Sequence, residues 1–237
     1  MPKLGINIDH IATLRQARLE SDPDPIAAIR ICEKAGADSI VAHLREDRRH
    51  IQDKDIYKLR QIATTRFNLE MSLNSEVVAV ALDVKPDQAT LVPERRQEVT
   101  TEGGLDVIRQ FRRVKKVVDE LSRKNIVVSL FIAPSLKQIQ KAKQAGVPMI
   151  ELHTGAYARA KNTSTRHNEL IKIKEAARCA QDLGLIVNAG HGLNYENTKI
   201  IARISGMEEL NIGHSIISRA VFVGLERAVR EMVQLIQ

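Results

Sequence analysis

Short apolar runs rich in β-branched residues alternate along the chain with longer segments whose apolar residues recur every three or four positions. The short runs predict strands, and the longer segments predict amphipathic helices. Eight strands are predicted: Leu4–Asp9, Ser39–Leu44, Phe67–Leu73, Gln88–Pro93, Val127–Ile132, Met149–His153, Leu185–Ala189 and Glu209–Gly213. Strands that alternate with helices pair in parallel through right-handed crossovers. The pattern therefore predicts an α/β fold, closed as a (β/α)8 barrel or open as a doubly wound sheet.

Helix boundaries and a weak internal repeat favour the barrel. Asp24 and Pro25 predict a helix start that leads to Gly36, and Ser135 and Gly146 predict the two ends of another helix. The segments KAGADSIVAHL, QAGVPMIELHTG and DLGLIVNAGHG share one plan of helix end, glycine, short link, strand and polar tip. Eight near-equal units in 237 residues, with no linker rich in Pro, Ser or Gly, predict a single TIM-barrel domain over residues 1–237.

Polar side chains collect at the predicted strand ends, where TIM barrels place their functional residues. Six of the seven histidines lie at or after such ends: His10, His43, His50, His153, His191 and His214. Three pairs are spaced by two and so share a strand face: Asn7 with Asp9, Asn68 with Glu70, and Glu151 with His153. These pairs predict a polar, hydrated barrel interior. The alternative is a closed hydrogen-bond network that serves stability alone.

The net charge of +7 favours an anionic partner. Nucleic acid is disfavoured because the chain has no Trp, three Tyr and four Phe, which leaves few platforms for base stacking. The segments NAGHG after the seventh strand and NIGHS after the eighth resemble phosphate-binding turns, and these loops are where TIM barrels bind phosphate. Arginines after other strand ends, such as Arg45, are candidates for a second anion. The sequence thus predicts phosphorylated small molecules as partners.

Several classes are excluded or disfavoured. Two cysteines, Cys32 and Cys179, are too few for a disulfide framework, and both are predicted to be buried thiols. There is no HExxH or GxSxG motif, so neither a metal nor a serine nucleophile is expected. Without a long apolar segment or a signal peptide, we expect a cytoplasmic protein with no membrane partner. The long stretch from Pro93 to Leu105 predicts a mobile lid or an inserted turn, and as a lid Thr100–Gly104 would close over the bound sugar phosphate.

Long motifs across nearly the whole chain resemble those of the pyridoxine 5′-phosphate synthase family. They read NIDHIATLRQAR, HLREDRRHI, NLEMS, LVPERRQEVTTEGGLDV, SLFI, IELHTGAYA, VNAGHGLNY and ELNIGHSIISRAV. The resemblance implies a TIM barrel with extra helices, assembled as a homo-octamer. It also implies a ring-closing condensing synthase of the transferase class that uses no cofactor. Such an enzyme joins 3-amino-2-oxopropyl phosphate to 1-deoxy-D-xylulose 5-phosphate and releases pyridoxine 5′-phosphate, phosphate and water, a step of vitamin B6 biosynthesis.

The resemblance also implies roles for individual residues. Those matching the catalytic positions are His43, Glu70 and His191, for proton transfer, and Glu151, for charge stabilisation. Those matching the amino-ketone phosphate site are Asn7, Arg18, Gly192, Gly213 and His214. Those matching the deoxyxylulose phosphate site are Asp9, His10, Arg45, His50 and Thr100. The sequence LESDPDP after Arg18 departs from the family pattern, so the assignment of Arg18 has the least support.

Two alternatives remain open. Another phosphate-binding TIM-barrel isomerase or lyase would need only one phosphate site and fewer titratable groups. A basic nucleic-acid-binding protein would leave the histidines at the strand ends without an explanation.

Overall fold

The computed structural model describes residues 1–94 and 103–237, and within them eight parallel strands form a closed barrel. The strands are β1 (Lys3–Asn7), β2 (Ser39–Leu44), β3 (Arg66–Met71), β4 (Gln88–Leu91), β5 (Val127–Ile132), β6 (Met149–His153), β7 (Ile186–Gly190) and β8 (Met207–Ile212). Each strand pairs with its neighbours in sequence, and β1 closes the ring on β8 with Leu4 opposite Leu210. The prediction of a TIM barrel is confirmed, and the open sheet is wrong.

Helices surround the barrel and connect its strands. Within the described ranges they are α1 (Asp9–Arg18), α2 (Pro25–Lys34), α3 (Asp53–Ile62), α4 (Ser75–Val84), α5 (Phe111–Ser122), α6 (Leu136–Ala145), α7 (Gly155–Ala158), α8 (Thr163–Asp182), α9 (Thr198–Ala202), α10 (His214–Val223) and α11 (Leu225–Ile236). The β1–β2 and β6–β7 connections each contain two helices, and two more follow β8. The expectation of extra helices is therefore confirmed.

The predicted helix ends have a local chemical basis. The Asp24 side chain accepts a hydrogen bond from the Ile26 N–H at 2.9 Å, which caps α2 as its first turn begins at Pro25. Gly146 follows α6 with a φ of 86°, the left-handed conformation that a glycine adopts without a steric penalty. Ser135 does precede α6, but its side chain makes no capping hydrogen bond.

Strand ends differ from the predictions where side chains or prolines interrupt the ladder. The first strand ends at Asn7, because the Asn7 side chain accepts the Asp9 N–H at 2.9 Å and turns the chain into α1. Asp9 therefore belongs to a helix and not to a strand face, which corrects the sequence prediction. The fourth strand ends at Leu91, shortly before Pro93, which has no N–H to donate.

The barrel interior is polar, as predicted. Along the strands, the inward-facing polar residues alternate with residues that face the helices. The helix-facing residues are fully buried aliphatics, such as Ile6, Leu69 and Ile150. Buried polar residues on the strands include Ser39, Asn68, Gln88, Thr90, Ser129, Asn188, Glu209 and Asn211. Several of their buried atoms have no hydrogen-bond partner among the described residues, including Asn68 Nδ2, Ser129 Oγ and Asn188 Oδ1. The hydrogen bonds among the described side chains therefore leave part of this polar interior without a protein partner.

Neither cysteine forms a disulfide. Cys32 is fully buried, and burial raises the pKa of its thiol to about 12. Cys179 is only partly buried, so the prediction of two buried thiols is wrong for that residue. Over the two described ranges, none of the helices has both the length and the apolar character that crossing a membrane requires.

Candidate active site

Carboxylates and an imidazole converge at the C-terminal ends of β1, β2 and β3. One donor atom each from Asp9, His43 and Glu70 lies within 4.8 Å of the other two. Asn7 joins the two carboxylates, because its Nδ2 donates to Asp9 Oδ2 at 2.9 Å and to Glu70 Oε2 at 3.4 Å. Asp9 Oδ1 in turn accepts the backbone N–H of His43 at 2.8 Å. These contacts bring the four residues together, and their role as one catalytic site stays a prediction.

The surroundings of the Glu70 carboxyl disfavour its ionised form. Its pKa lies well above the ordinary value because it is buried and because the charges of Glu151 and Asp9 repel its ionised form. The hydrogen bond from Asn7 acts in the opposite direction but does not reverse the shift. The surroundings of Glu70 therefore favour its protonated form.

Glu151 on β6 is a second buried carboxyl with a raised pKa. Burial raises its pKa to about 8, although the Asn211 amide, which donates to Oε2 at 2.7 Å, favours the ionised form. Gly190 of the NAGHG segment lies against it, because a Cβ at that position would come within 2.2 Å of Glu151 Oε1. A glycine is thus required here by the close approach of a carboxyl group.

His43 on β2 is paired with a residue to which the sequence assigned no role. Its Nε2 lies 2.9 Å from Glu94 Oε1, and both side chains are almost fully buried. Burial alone would raise the pKa of Glu94, but the bond from His43 leaves it below the usual range. Glu94 thus orients the imidazole of His43.

His191 lies beside a second imidazole. The ring centroids of His191 and His153 are 4.9 Å apart, and Phe131 on β5 meets the His153 ring edge-on at 5.3 Å. Burial lowers the pKa of His191, and burial together with the His191 charge lowers the pKa of His153 to about 4. Both imidazoles are therefore held in the neutral form.

Residues assigned to the amino-ketone phosphate surround the start of α10. Gly213 precedes the first helical residue, His214, and a Cβ at Gly213 would come within 2.9 Å of the Asn7 side chain. The rings of His214 and His10 meet edge-on at 5.0 Å, and burial lowers the pKa of His10. Gly192 follows His191 and is exposed. These contacts place Asn7, His10, Gly213 and His214 together at one side of the site.

Arg18 stands apart from this group. It is the exposed last residue of α1, and its side chain makes no hydrogen bond or ion pair with any residue in the described ranges. The assignment of Arg18 to the amino-ketone phosphate therefore stays a prediction.

Residues assigned to the deoxyxylulose phosphate follow β2. Arg45 is buried, with its Nε 3.4 Å from Asp47 Oδ1. The His50 ring is 6.2 Å from that of His43, and burial lowers its pKa. His50 Nδ1 accepts the Ile51 N–H at 2.8 Å, so the neutral ring carries its proton on Nε2. Thr100, and most of the predicted lid Thr100–Gly104, lie outside the described residues.

An ion pair that the sequence analysis did not predict holds the loop that carries His50. The Arg15 guanidinium is buried and donates to both carboxylate oxygens of Asp55, at 2.9 and 2.6 Å. Arg15 also donates to the His50 carbonyl at 3.1 Å. The two residues are distant in sequence and lie on different helices, so only the tertiary fold reveals the pair.

The expectation that no metal binds stays a prediction. Asp9, His43 and Glu70 offer one imidazole and two carboxylates, a donor set that divalent transition metals accept. The same atoms also suit the proton transfers that the resemblance implies.

Comparison with known proteins identifies close sequence relatives. A family model described as "Pyridoxal phosphate biosynthesis protein PdxJ" matches residues 4–237. A "Pyridoxine 5'-phosphate synthase" of Synechococcus sp. (strain JA-2-3B'a(2-13)) is 61% identical over 234 residues, which cover 99% of this chain and 98% of that protein. A protein of the same name from Trichodesmium erythraeum (strain IMS101) is 58% identical over 98% of this chain and 97% of its own length.

Solved structures share the architecture at low sequence identity. Phosphoribosylanthranilate isomerase from Thermotoga maritima has a TM-score of 0.63 at 11% identity, covering 100% of this chain and 98% of its own. KGPDC from Streptococcus mutans has a TM-score of 0.65 at 14% identity, covering 100% and 97%. At such identities the likeness extends to the barrel fold and no further.

Proposed function

The chain belongs to the pyridoxine 5′-phosphate synthase family, and we propose that it performs the family's condensation at the C-terminal mouth of its barrel. Its substrates are then 3-amino-2-oxopropyl phosphate and 1-deoxy-D-xylulose 5-phosphate, and its products are pyridoxine 5′-phosphate, phosphate and water. Residues 1–237 act as one catalytic unit in this proposal. The observation that carries it is the convergence of Asp9, His43 and Glu70 within 4.8 Å.

The proposed chemistry needs several proton transfers. Closing a pyridine ring proceeds through imine formation, dehydrations and enolisations, and each of these steps moves a proton. A group transfers protons best when its pKa lies near the working pH. The raised pKa of Glu70 favours its protonated form as a proton donor, and the lowered pKa of His191 favours its neutral form as a proton acceptor. His43, oriented by Glu94, is the third proton-transfer residue in the proposal.

Glu151 stabilises positive charge in this proposal. Its carboxyl is buried beside Asn211, and its pKa of about 8 means that a nearby cation readily shifts it to the ionised form. An iminium intermediate formed from the substrate amine is such a cation. Because the substrate amine supplies the ring nitrogen, no lysine Schiff base and no cofactor are needed.

Two groups of side chains bind the two phosphates. Asn7, Gly213 and His214 lie at the start of α10, where unpaired backbone N–H groups attract an anion. Arg18 and Gly192 complete that group. The second group, for the sugar phosphate, is Asp9, His10, Arg45, His50 and Thr100. Two separate phosphate sites distinguish this proposal from an isomerase or lyase with one.

Assembly and location are part of the proposal. Exposed apolar side chains on the outer helices, including Leu14, Leu19, Val221 and Phe222, are surfaces that a homo-oligomer would cover. We expect the octamer that the family resemblance implies, working in the cytoplasm where its phosphorylated substrates occur. Light scattering of the purified protein measures the assembly.

The test is incubation with both substrates, measuring the pyridoxine chromophore and free phosphate. We expect the two products in equal amounts, and none when either substrate is omitted. His191→Asn should lower turnover by about 10²–10⁴-fold, as for loss of a general acid–base group. His167→Asn is the matched control, because His167 is exposed on α8. Turnover of either substrate alone would support the isomerase or lyase alternative instead.

A further inference from the structure

His191 has an unusual backbone for a residue at the end of a strand. Its φ is 76°, in the left-handed region that non-glycine residues rarely occupy. Leu19 and Lys85 also have positive φ, but they are the C-caps of α1 and α4, where this conformation is common. A residue at a functional site keeps such a conformation only where its surroundings impose it. The contacts around His191 should therefore include a group that fixes its torsions.

Thr154, directly after β6, is that group. It is fully buried, and its hydroxyl shares its hydrogen between the carbonyl oxygens of Gly190, at 2.8 Å, and His191, at 2.7 Å. Its backbone N–H also donates to the Gly190 carbonyl at 2.9 Å. The Gly190 carbonyl belongs to the peptide before the His191 Cα, and the His191 carbonyl belongs to the peptide after it. One hydroxyl bonded to both therefore constrains the φ and ψ between them.

The side chain of His191 packs against the segment that contains Thr154, residues 153–155. A Cβ on Gly155, the residue after Thr154, would come within 2.5 Å of His153 Nε2 and 3.0 Å of His191 Cδ2. His153 Nε2 is buried and has no hydrogen-bond partner among the described residues. The two imidazoles thus pack beside the 153–155 segment, and the Phe131 ring lies near both of them, 5.3 Å from His153 and 6.4 Å from His191.

We propose that Thr154 is a positioning residue for His191, whose hydroxyl fixes the backbone torsions that bring the imidazole against His153. This inference rests on the proposed proton-transfer role of His191. Thr154 itself touches no reacting atom in the proposal. Its effect on the reaction comes through the placement of the imidazole, and small errors in such placement are costly to the rate.

The test compares Thr154→Val, which removes the hydroxyl at nearly constant volume, with Thr154→Ser, which keeps it. Thr198→Val is the matched control, because Thr198 is also fully buried and its hydroxyl donates to a backbone carbonyl, that of Asn194, at 2.6 Å. The readouts are kcat, KM for each substrate, and the ring resonances of His191 in NMR spectra of protein with ¹³C-labelled histidine.

We expect Thr154→Val to lower kcat by up to about 10²-fold with little change in KM. The His191 resonance should move in Thr154→Val, and it should stay in place in Thr198→Val. Thr154→Ser should restore both the rate and the resonance. Thr154→Ala removes the same hydroxyl without adding a methyl beside the two carbonyls, and it gives the same readouts should the valine variant fail to fold.

An unchanged kcat together with an unmoved His191 resonance in Thr154→Val or Thr154→Ala would overturn the inference. A moved resonance with an unchanged kcat would support the positioning role of Thr154 and overturn the proton-transfer role of His191. The two proposals therefore fail in different ways.

Discussion

Both ends of the barrel interior contain buried carboxyl groups, but the charged groups beside them differ. At the N-terminal end, Glu209 on β8 is fully buried and accepts hydrogen bonds from the Arg66 guanidinium and from the Ser39 hydroxyl at 3.0 Å. At the C-terminal end, Glu70 accepts one side-chain hydrogen bond among the described residues, from the Asn7 amide at 3.4 Å. Burial raises the pKa of both carboxyls.

The neighbouring charges make the difference. Arg66 and the Ser39 bond favour the ionised form of Glu209 and partly offset its burial. Around Glu70 the charges of Glu151 and Asp9 add to the effect of burial. A nearby cation favours the ionised form of a carboxyl, and the resulting ion pair contributes to structure. Neighbouring carboxylates disfavour the ionised form, which favours a group that takes up and releases protons. The same residue type thus lies beside a cation at one end of the barrel and beside other carboxyls at the other, where we propose that it transfers protons.

The largest expected effect separates the two carboxyls by turnover. Glu70→Gln keeps the size of the side chain but cannot transfer a proton, so turnover should fall by roughly 10²–10⁴-fold. Glu209→Gln is the matched variant at the other end, and it should keep near-normal turnover. Steady-state rates and melting temperatures on the same preparations provide the measurement. A folded Glu70→Gln enzyme with normal turnover would make Glu70 a structural carboxyl like Glu209.

The next effect concerns stability at the N-terminal end. Arg66→Met leaves Glu209 as a buried carboxyl without its cation, and losing one partner of a buried ion pair costs about 3–5 kcal/mol. The free energy of unfolding in urea should fall by that amount at pH 8, where a buried unpaired carboxyl is hardest to keep protonated. Turnover should change little. The double variant Arg66→Met with Glu209→Gln should recover much of the loss, and a double variant as unstable as the single one would contradict the pairing argument.

Much of the fold was predictable from the sequence because strands and helices have different periods. Every predicted strand is present, since apolar β-branched runs bounded by turn residues specify buried parallel strands. The errors lie at strand ends. The Asn7 side chain turns the chain before Asp9, and a register shift between Val187 and Asn188 lets β8 begin at Met207. Such details depend on single hydrogen bonds that no periodicity encodes.

The site was predictable where its residues lie at strand ends or in motifs. Strand spacing alone pairs Asn7 with Asp9, Asn68 with Glu70, and Glu151 with His153. Asn7 does contact Asp9, although Asp9 lies in a helix and not on the strand. Contacts between residues that are distant in sequence could not be predicted, such as the contact between Glu94 and His43. The requirement for glycine at position 190 also follows only from the carboxyl of Glu151 beside it.

The smallest expected effect is a pH dependence of stability at the C-terminal end. The pKa of Glu151 in the folded protein is about 8, against 4.5 as its ordinary value. Between these values the folded state binds more protons than the unfolded state, so the contribution of Glu151 to stability is lost as pH rises. Replacing Glu151 with glutamine removes this dependence. The repulsion that Glu151 exerts on Glu70 is removed as well, which acts in the same direction.

We therefore expect the free energy of unfolding of the wild type, relative to Glu151→Gln, to fall by roughly 2 kcal/mol between pH 5 and pH 7. Urea titrations of both proteins at the two pH values measure this difference. Glu209→Gln sharpens the comparison, because Arg66 and Ser39 favour the ionised form of Glu209 and should leave a smaller dependence of the same sign. If the stability of the wild type rises over this range relative to Glu151→Gln, the Glu151 carboxyl is ionised at pH 5 and the contrast between the two ends of the barrel is wrong.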